Sequence, residues 1–245
     1  MAIGPFHDLG EWTRNAVEVA RFGGLDTGEE SSPYEVTQRS PTHRLRRYFP
    51  GSDTHGPAVI LIPPMMLSAE VFDVSPAVSA VAELHVAGID PWVVDFGEPA
   101  HEEGGLQRGL QDHLDAISES IDHVGAATGG PPHLAGYSQG GMFAYEVAVF
   151  RGNEGIASIV SLGSPVDLKA MKPGGIPLET LEPAAEFLSN RVIGTRSLPS
   201  WVSSSAFELL DPAGSLRKRV DFVRRLHDRD ALSPKEKQRR FLRGE

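Results

Sequence analysis

The chain has 245 residues, a formal net charge of −10, 40% apolar and 23% charged residues, and no cysteine. Such totals fit one large globular domain with its own core. They exclude disulfides, thiolate metal sites and a cysteine nucleophile, and they argue against general nucleic-acid binding.

The start, MAIGPFHDLGEW, has neither a basic n-region nor an apolar h-region, so a cytoplasmic location is expected. No apolar run approaches the ~18 residues of a membrane span. Residues from about 8 to 22 read as an amphipathic helix, with Leu9, Trp12, Ala16, Val19 and Ala20 at helical spacing. Gly23-Gly24 ends it, and a polar linker runs to about Ser32. Tyr34–Thr37 and Arg44–Tyr48 read as two exposed strands split by Ser40-Pro41. Ala58–Ile62 is an unbroken apolar run ended by Pro63-Pro64, as in a buried parallel strand.

Next come a helix around Pro76 to Ala87, a strand over Pro91–Phe96, and a long helix over about 106–127 striped by Leu110, Leu114, Ile117 and Ile121. A strand near Pro132–Tyr137 leads to Ser138. A helix over Gly140–Arg151 follows, with Phe143, Val147 and Phe150 on one face, and then a strand over Ile156–Leu162. This alternation predicts an α/β fold, an open and mostly parallel sheet with helices on both faces. From Gly163 to about Pro212 the pieces are short and weakly periodic. A basic amphipathic helix with Leu216, Val220, Val223 and Leu226 on one side closes the chain. From Leu216 onward there are eleven Lys and Arg against five Asp and Glu. That tail reads as a solvated face or as a docking surface for an anionic substrate such as a CoA thioester. The expected organisation is an N-terminal helix and linker (1–32), an α/β core (33–163) and a cap or lid segment (164–245).

The chemistry points to Gly136-Tyr137-Ser138-Gln139-Gly140. A G-x-S-x-G between strand and helix puts a serine hydroxyl on a sharp turn facing a cavity, where an acyl-transfer nucleophile must stand. Gly136 and Gly140 are small because strand and helix come close there. Gln139, at the helix start, offers a backbone N–H to an oxyanion. The second donor is expected from Pro63-Pro64-Met65-Met66-Leu67, where the prolines have no N–H, so Met65 or Met66 must supply it. Their side chains also suit an acyl-chain pocket.

Serine needs a base near pH 7, and His227 is the one histidine after Ser138. Asp167, after the last clear strand, is the acid candidate and His227 the base candidate. A loop residue and a solvated helix-end histidine are the bland readings of the two. Asp95, at a strand end, is expected to be solvated, and His133 to lie at the far end of the Ser138 strand. No metal-binding or nucleotide-binding motif is present, so neither a metal nor a cofactor is expected.

These residues resemble the α/β-hydrolase superfamily. More narrowly, Ile62-Pro63-Pro64-Met65-Met66 with Gly136-Tyr137-Ser138-Gln139-Gly140-Gly141 is similar to its polyhydroxyalkanoate synthase-like branch. The synthases use cysteine where Ser138 stands. A serine version looks like the lipase or hydrolase half of proteins fused to long-chain acyl-CoA ligases. The resemblance spans about residues 34–170 and implies an α/β-hydrolase fold, incomplete at the C-terminus, with a helical cap segment. The family continues past its cap with two strands bearing the catalytic Asp and His, which nothing here matches. The chain is therefore expected to be the N-terminal part of a larger design, completed by a C-terminal domain or by homo-oligomerisation. The implied function is hydrolysis or transfer of a small-molecule acyl ester or acyl-CoA, in lipid or polyhydroxyalkanoate-type metabolism. The alternatives are a non-catalytic acyl- or partner-binding module, or an inactive fragment.

Overall fold

The computed structural model describes residues 5–22, 31–52, 56–65, 68–75, 78–97, 104–167 and 212–228, with isolated positions at 170, 177, 179–180, 182–183 and 232. The chain divides into two compact units. The larger comprises residues 31–73 and 79–197, the smaller residues 1–30, 74–78 and 198–245.

Helix α1 (Pro5–Phe22) opens the smaller unit. The larger unit is built on β1 (Tyr34–Arg39), β2 (Arg44–Tyr48), β3 (Ala58–Ile62), β6 (Asp90–Asp95), β7 (His133–Tyr137) and β8 (Ser158–Leu162). Between β3 and β6, β4 (Asp73–Ser75) and β5 (Val78–Ser79) form a separate short ladder that periodicity did not foretell. The six-stranded sheet has the order β1-β2-β6-β3-β7-β8. β6, β3, β7 and β8 are parallel neighbours, and β2 joins β6 antiparallel. Among the described residues, α2 (Ala80–Val86), α3 (Leu110–Thr128) and α4 (Gln139–Phe150) are the helices that pack on this sheet.

Alternation along the strands makes two cores. Ile60, Ile62, Trp92, Val94 and Leu134 pack with Ile117 and Ile121 of α3 and with Phe143 and Val147 of α4. On the other face Leu61, Val93 and Ala135 pack with Tyr48, Phe72 and Val81. The central strands β3, β6 and β7 are thus buried on both sides, which explains their apolar runs, while β8 alternates exposed and half-buried residues.

Several expectations need correction. The α2 helix begins at Ala80 rather than near Pro76, because Ser79 Oγ accepts the Ala82 N–H at 3.0 Å and caps it there. Residues 76–77 lie outside the described residues. Helix α3 begins at Leu110, where Asp112 takes the Gly109 N–H at 2.7 Å. Leu110 itself is exposed, while Leu114, Ile117, Ile121 and Val124 are buried. Strand β2 is not exposed. Leu45, Arg46 and Tyr48 are buried, because Leu45 packs into one core, Tyr48 into the other, and Arg46 pairs with Asp95 and Glu70, while β1 and β6 pair along its two edges. On α4, Phe150 is exposed while Phe143 and Val147 are buried. Helical period gives the direction of a stripe, not how far a neighbour covers it.

In the smaller unit, α5 (Pro212–Arg224) is the basic helix. Val220 and Val223 are exposed, against expectation. The buried positions are Leu226 and Leu232, with Trp12, Ala16, Val19 and Phe222 packed against them. Trp12 Nε1 donates to the Val223 carbonyl at 2.8 Å and Asn15 Nδ2 to the Leu226 carbonyl at 2.6 Å. Val223 belongs to the last turn of α5, where intrahelical donors run out, and Leu226 to the turn that follows it. Among the described residues, no helix is long and apolar enough to cross a membrane.

Candidate active site

The C-terminal ends of the parallel strands form the ligand-facing edge of such a sheet. Ser138 stands there, between the last residue of β7 and the first of α4. Its backbone is at φ 54°, ψ −119°, a region costing a non-glycine residue about 1–3 kcal/mol. The Ser138 N–H is tied to the Leu162 carbonyl at 2.8 Å, which fixes the turn against β8. Although Ser138 is the N-cap of α4, its side chain makes no capping hydrogen bond. The residue is half-buried and lines an open cleft of about 490 Å³ with Gly163, Ser164, Pro165, Val166, Asp167 and Ala170.

The glycines are there for space. A Cβ on Gly136 would run into the Gly140 carbonyl and the Gly141 amide nitrogen, and one on Gly140 would run into the Ile62 carbonyl of β3. The motif thus pins helix α4 against both β7 and β3. His133, at the far end of β7 as expected, bonds the Ser158 hydroxyl at 2.7 Å.

Gln139 is the first residue of α4, so its N–H has no intrahelical acceptor. Its side chain reaches β3's loop. The Met65 N–H donates to Gln139 Oε1 at 3.2 Å, and Gln139 Nε2 lies 3.7 Å from Met65 Sδ. The backbone donor anticipated at Met65 is thus engaged by a side chain of the same site. Met66 lies outside the described residues. Asp167 is exposed on the same cleft wall as Ser138, with its carboxylate accepting the Ala170 N–H at 3.2 Å. His227 belongs to the smaller unit, just past α5, exposed with Nδ1 3.1 Å from the Arg224 carbonyl. No histidine is among the described residues lining the Ser138 cleft. The structure therefore brings together Ser138, Gln139 and Met65 at one turn, and Ser138 and Asp167 at one cleft.

Two features escaped the sequence reading. Ser164 Oγ is buried without a hydrogen-bond partner beside the Ser138 turn, where a Cβ on Gly141 would meet it. Its signal was the Gly163-Ser164-Pro165 bend just past a parallel strand. The second is Asp95, which is not solvated but 2% exposed. Arg44 Nε and Arg46 Nη2 reach its carboxylate at 3.0 and 2.6 Å, the Gly97 N–H at 2.9 Å, and Arg46 continues to Glu70 at 2.7 Å. Burial alone would raise the Asp95 carboxyl. The charge of Arg46 and the hydrogen bonds from Arg44, Arg46 and Gly97 outweigh burial and hold it below the ordinary range. Glu70 is lowered likewise: burial is outweighed by a hydrogen bond from Ser68 and by Arg46. The clue was an arginine-rich strand that also carries Leu45 and Tyr48, because a buried arginine needs an acid as partner. Among the described residues no cluster of His, Asp and Glu could hold a metal ion.

A family model described as "Alpha/beta hydrolase family" matches residues 59–243. No curated protein matches the chain. Among solved structures, the chain is similar to a carboxylesterase from the thaumarchaeon Nitrososphaera gargenis, with 17% identity, TM-score 0.42, and coverage of 64% of this chain and 53% of that one. It is also similar to a monoacylglycerol lipase from Paleococcus ferrophilus, with 21% identity, TM-score 0.38, and coverage of 56% and 49%. A thioesterase domain from the curacin biosynthetic pathway gives 19% identity, TM-score 0.43, and coverage of 75% and 63%. The chain spans about half the length of the first two.

Proposed function

The chain belongs to the alpha/beta hydrolase family, and we propose that it hydrolyses or transfers acyl groups from a small-molecule ester or thioester with Ser138 as nucleophile. The observation carrying this reading is the Ser138 turn. Its backbone is strained, its glycine neighbours admit no side chain, and its hydroxyl is left out of helix capping. Strain of this kind persists only where the surrounding structure over-determines it, and it concentrates at active sites.

In the proposed reaction Ser138 Oγ attacks the acyl carbonyl carbon while a base takes its proton. The oxyanion receives the Gln139 N–H, and it competes with the Gln139 side chain for the Met65 N–H, or uses Met66. Collapse expels the alcohol or thiol, which takes the proton from the base. A water, hydroxyl or thiol then attacks the acyl-serine in the mirror sequence. Asp167 is the proposed acid. His227, or a histidine from a complementing domain or second copy, is the proposed base. The polyhydroxyalkanoate synthase-like reading, acyl-CoA as substrate and a cytoplasmic location belong to the same proposal and rest on the motif resemblance.

The test is hydrolysis of 4-nitrophenyl butyrate, 4-nitrophenyl octanoate and octanoyl-CoA by the wild-type chain and by Ser138→Ala. The expected result is turnover by the wild type and a loss of about 10⁴-fold or more in kcat/KM in the variant, with an unchanged melting curve. Equal activity in both would overturn the proposal.

A further inference from the structure

The backbone and the side chain of Gln139 pull in opposite directions at the Ser138 turn. The backbone N–H stands at the first position of α4 and has no intrahelical acceptor, so it is a donor offered to a ligand. The side-chain amide instead closes on the loop after β3. Its Oε1 accepts the Met65 N–H at 3.2 Å, while Nε2 donates to Met65 Sδ at 3.7 Å. A glutamine carries an acceptor oxygen and a donor nitrogen on a single planar amide, and Met65 supplies a match for each. Oε1 is a carbonyl oxygen, the same kind of atom that an ester or thioester would bring to this donor. The Met65 N–H is therefore occupied by a carbonyl that belongs to the protein.

Packing does not demand this contact. Gly140 already seats the start of α4 against β3, where an added Cβ would run into the Ile62 carbonyl and the Pro63 backbone. That close approach holds helix and loop together whether or not the Gln139 side chain reaches across. The contact is also easily exchanged. It is solvent-exposed, with Met65 itself 38% exposed and Gln139 half-buried. At 3.2 Å the N–H···O bond lies at the long end of its range, and a neutral bond of this kind has a small net strength. A carbonyl oxygen that gains negative charge as it reacts is a stronger acceptor than a neutral amide, and it displaces the amide.

We infer that the Gln139 side chain is a removable plug of the oxyanion site. At rest its Oε1 fills the Met65 N–H. During acyl transfer the side chain swings out, and the substrate oxygen takes the Met65 N–H together with the Gln139 N–H. The side chain thus slows the reaction that its own backbone supports, and its removal speeds turnover. This inference rests on Ser138 as the nucleophile and on Met65 as the second donor.

The experiment compares the full chain with Gln139→Met and Gln139→Ala. Both variants keep the backbone N–H. Methionine keeps nearly the length of glutamine without its oxygen, and alanine removes both. Hydrolysis of 4-nitrophenyl butyrate is measured for each chain, and the Met65 amide proton is followed by NMR. The expected result is a kcat/KM about five-fold higher in both variants, with the Met65 amide proton shifted upfield as it loses its acceptor. A side chain that merely held the loop would give the opposite sign, because its loss would loosen the oxyanion site. An unchanged or lower kcat/KM, a gain in Gln139→Ala but not in Gln139→Met, or a Met65 amide proton that does not move would overturn the plug. Any of these beside wild-type turnover that Ser138→Ala abolishes leaves the Ser138 reading standing, so the two fail separately. No turnover by any of the three chains would overturn both.

Discussion

Two parallel strands of one sheet, β6 and β7 with β3 between them, end in opposite ways. At the end of β6, Asp95 is saturated: two arginines and a backbone amide hold its carboxylate, and it is buried. At the end of β7, Ser138 is left uncommitted on a strained turn, half-buried at the mouth of a cleft. Both are polar residues on the edge where α/β sheets bind ligands. Position alone does not tell the two apart. What distinguishes them is how much of a group's bonding capacity the protein itself fills, and whether backbone strain is retained around it.

The largest expected stability effect sharpens the β6 side. Asp95→Asn leaves Arg46 buried with half its charge partners removed, and should cost about 3–5 kcal/mol in urea unfolding. A cost near zero would mean that the ion network is solvated after all. On the β7 side, Gly140→Ala drives a methyl group into the Ile62 carbonyl. Stability should fall by roughly 3 kcal/mol or more, and Ser138-dependent activity should vanish with it.

A pH series comes next. Burial, then the positive charge of Arg108, holds His43 at about 4 in the folded chain, against ~6.5 unfolded. Below 6.5 the unfolded chain binds a proton that the folded one refuses, so stability falls as pH drops from about 6.5 to about 4, by roughly 2–3 kcal/mol at the lower end. The depressed carboxyls of Asp95 and Glu70 act below that window. Their contribution is present above about pH 4 and is lost as pH falls through their lowered folded values. His43→Gln should flatten the upper part of this curve and leave the lower part. The smallest effect is Ser138→Gly. Relief of the positive φ should raise stability by about 1 kcal/mol while removing activity. A loss of stability there would contradict the claim that the turn is strained.

Much of this was legible from the residues. The apolar runs of β3, β6 and β7 announced central strands buried on both faces. The G-x-S-x-G between a strand and a helix located the turn. The rest was not local. Burial of β2 depends on β1 lying beside it, and Asp95 reads as solvated until Arg44 and Arg46 are known to sit opposite in the antiparallel register. The start of α2 was set by Ser79, whose role depends on a hydrogen bond three residues away rather than on the apolar pattern. Gln139 was legible as a backbone donor, but its side-chain hold on Met65 joins residues 74 apart and has no sequence signature.

The direct test of the Ser138 account is reaction of the folded chain with a fluorophosphonate probe, followed by peptide mass spectrometry. The account predicts one covalent adduct per chain, on Ser138, abolished by Ser138→Ala. A folded chain that stays unlabelled, or carries the adduct elsewhere, would contradict it.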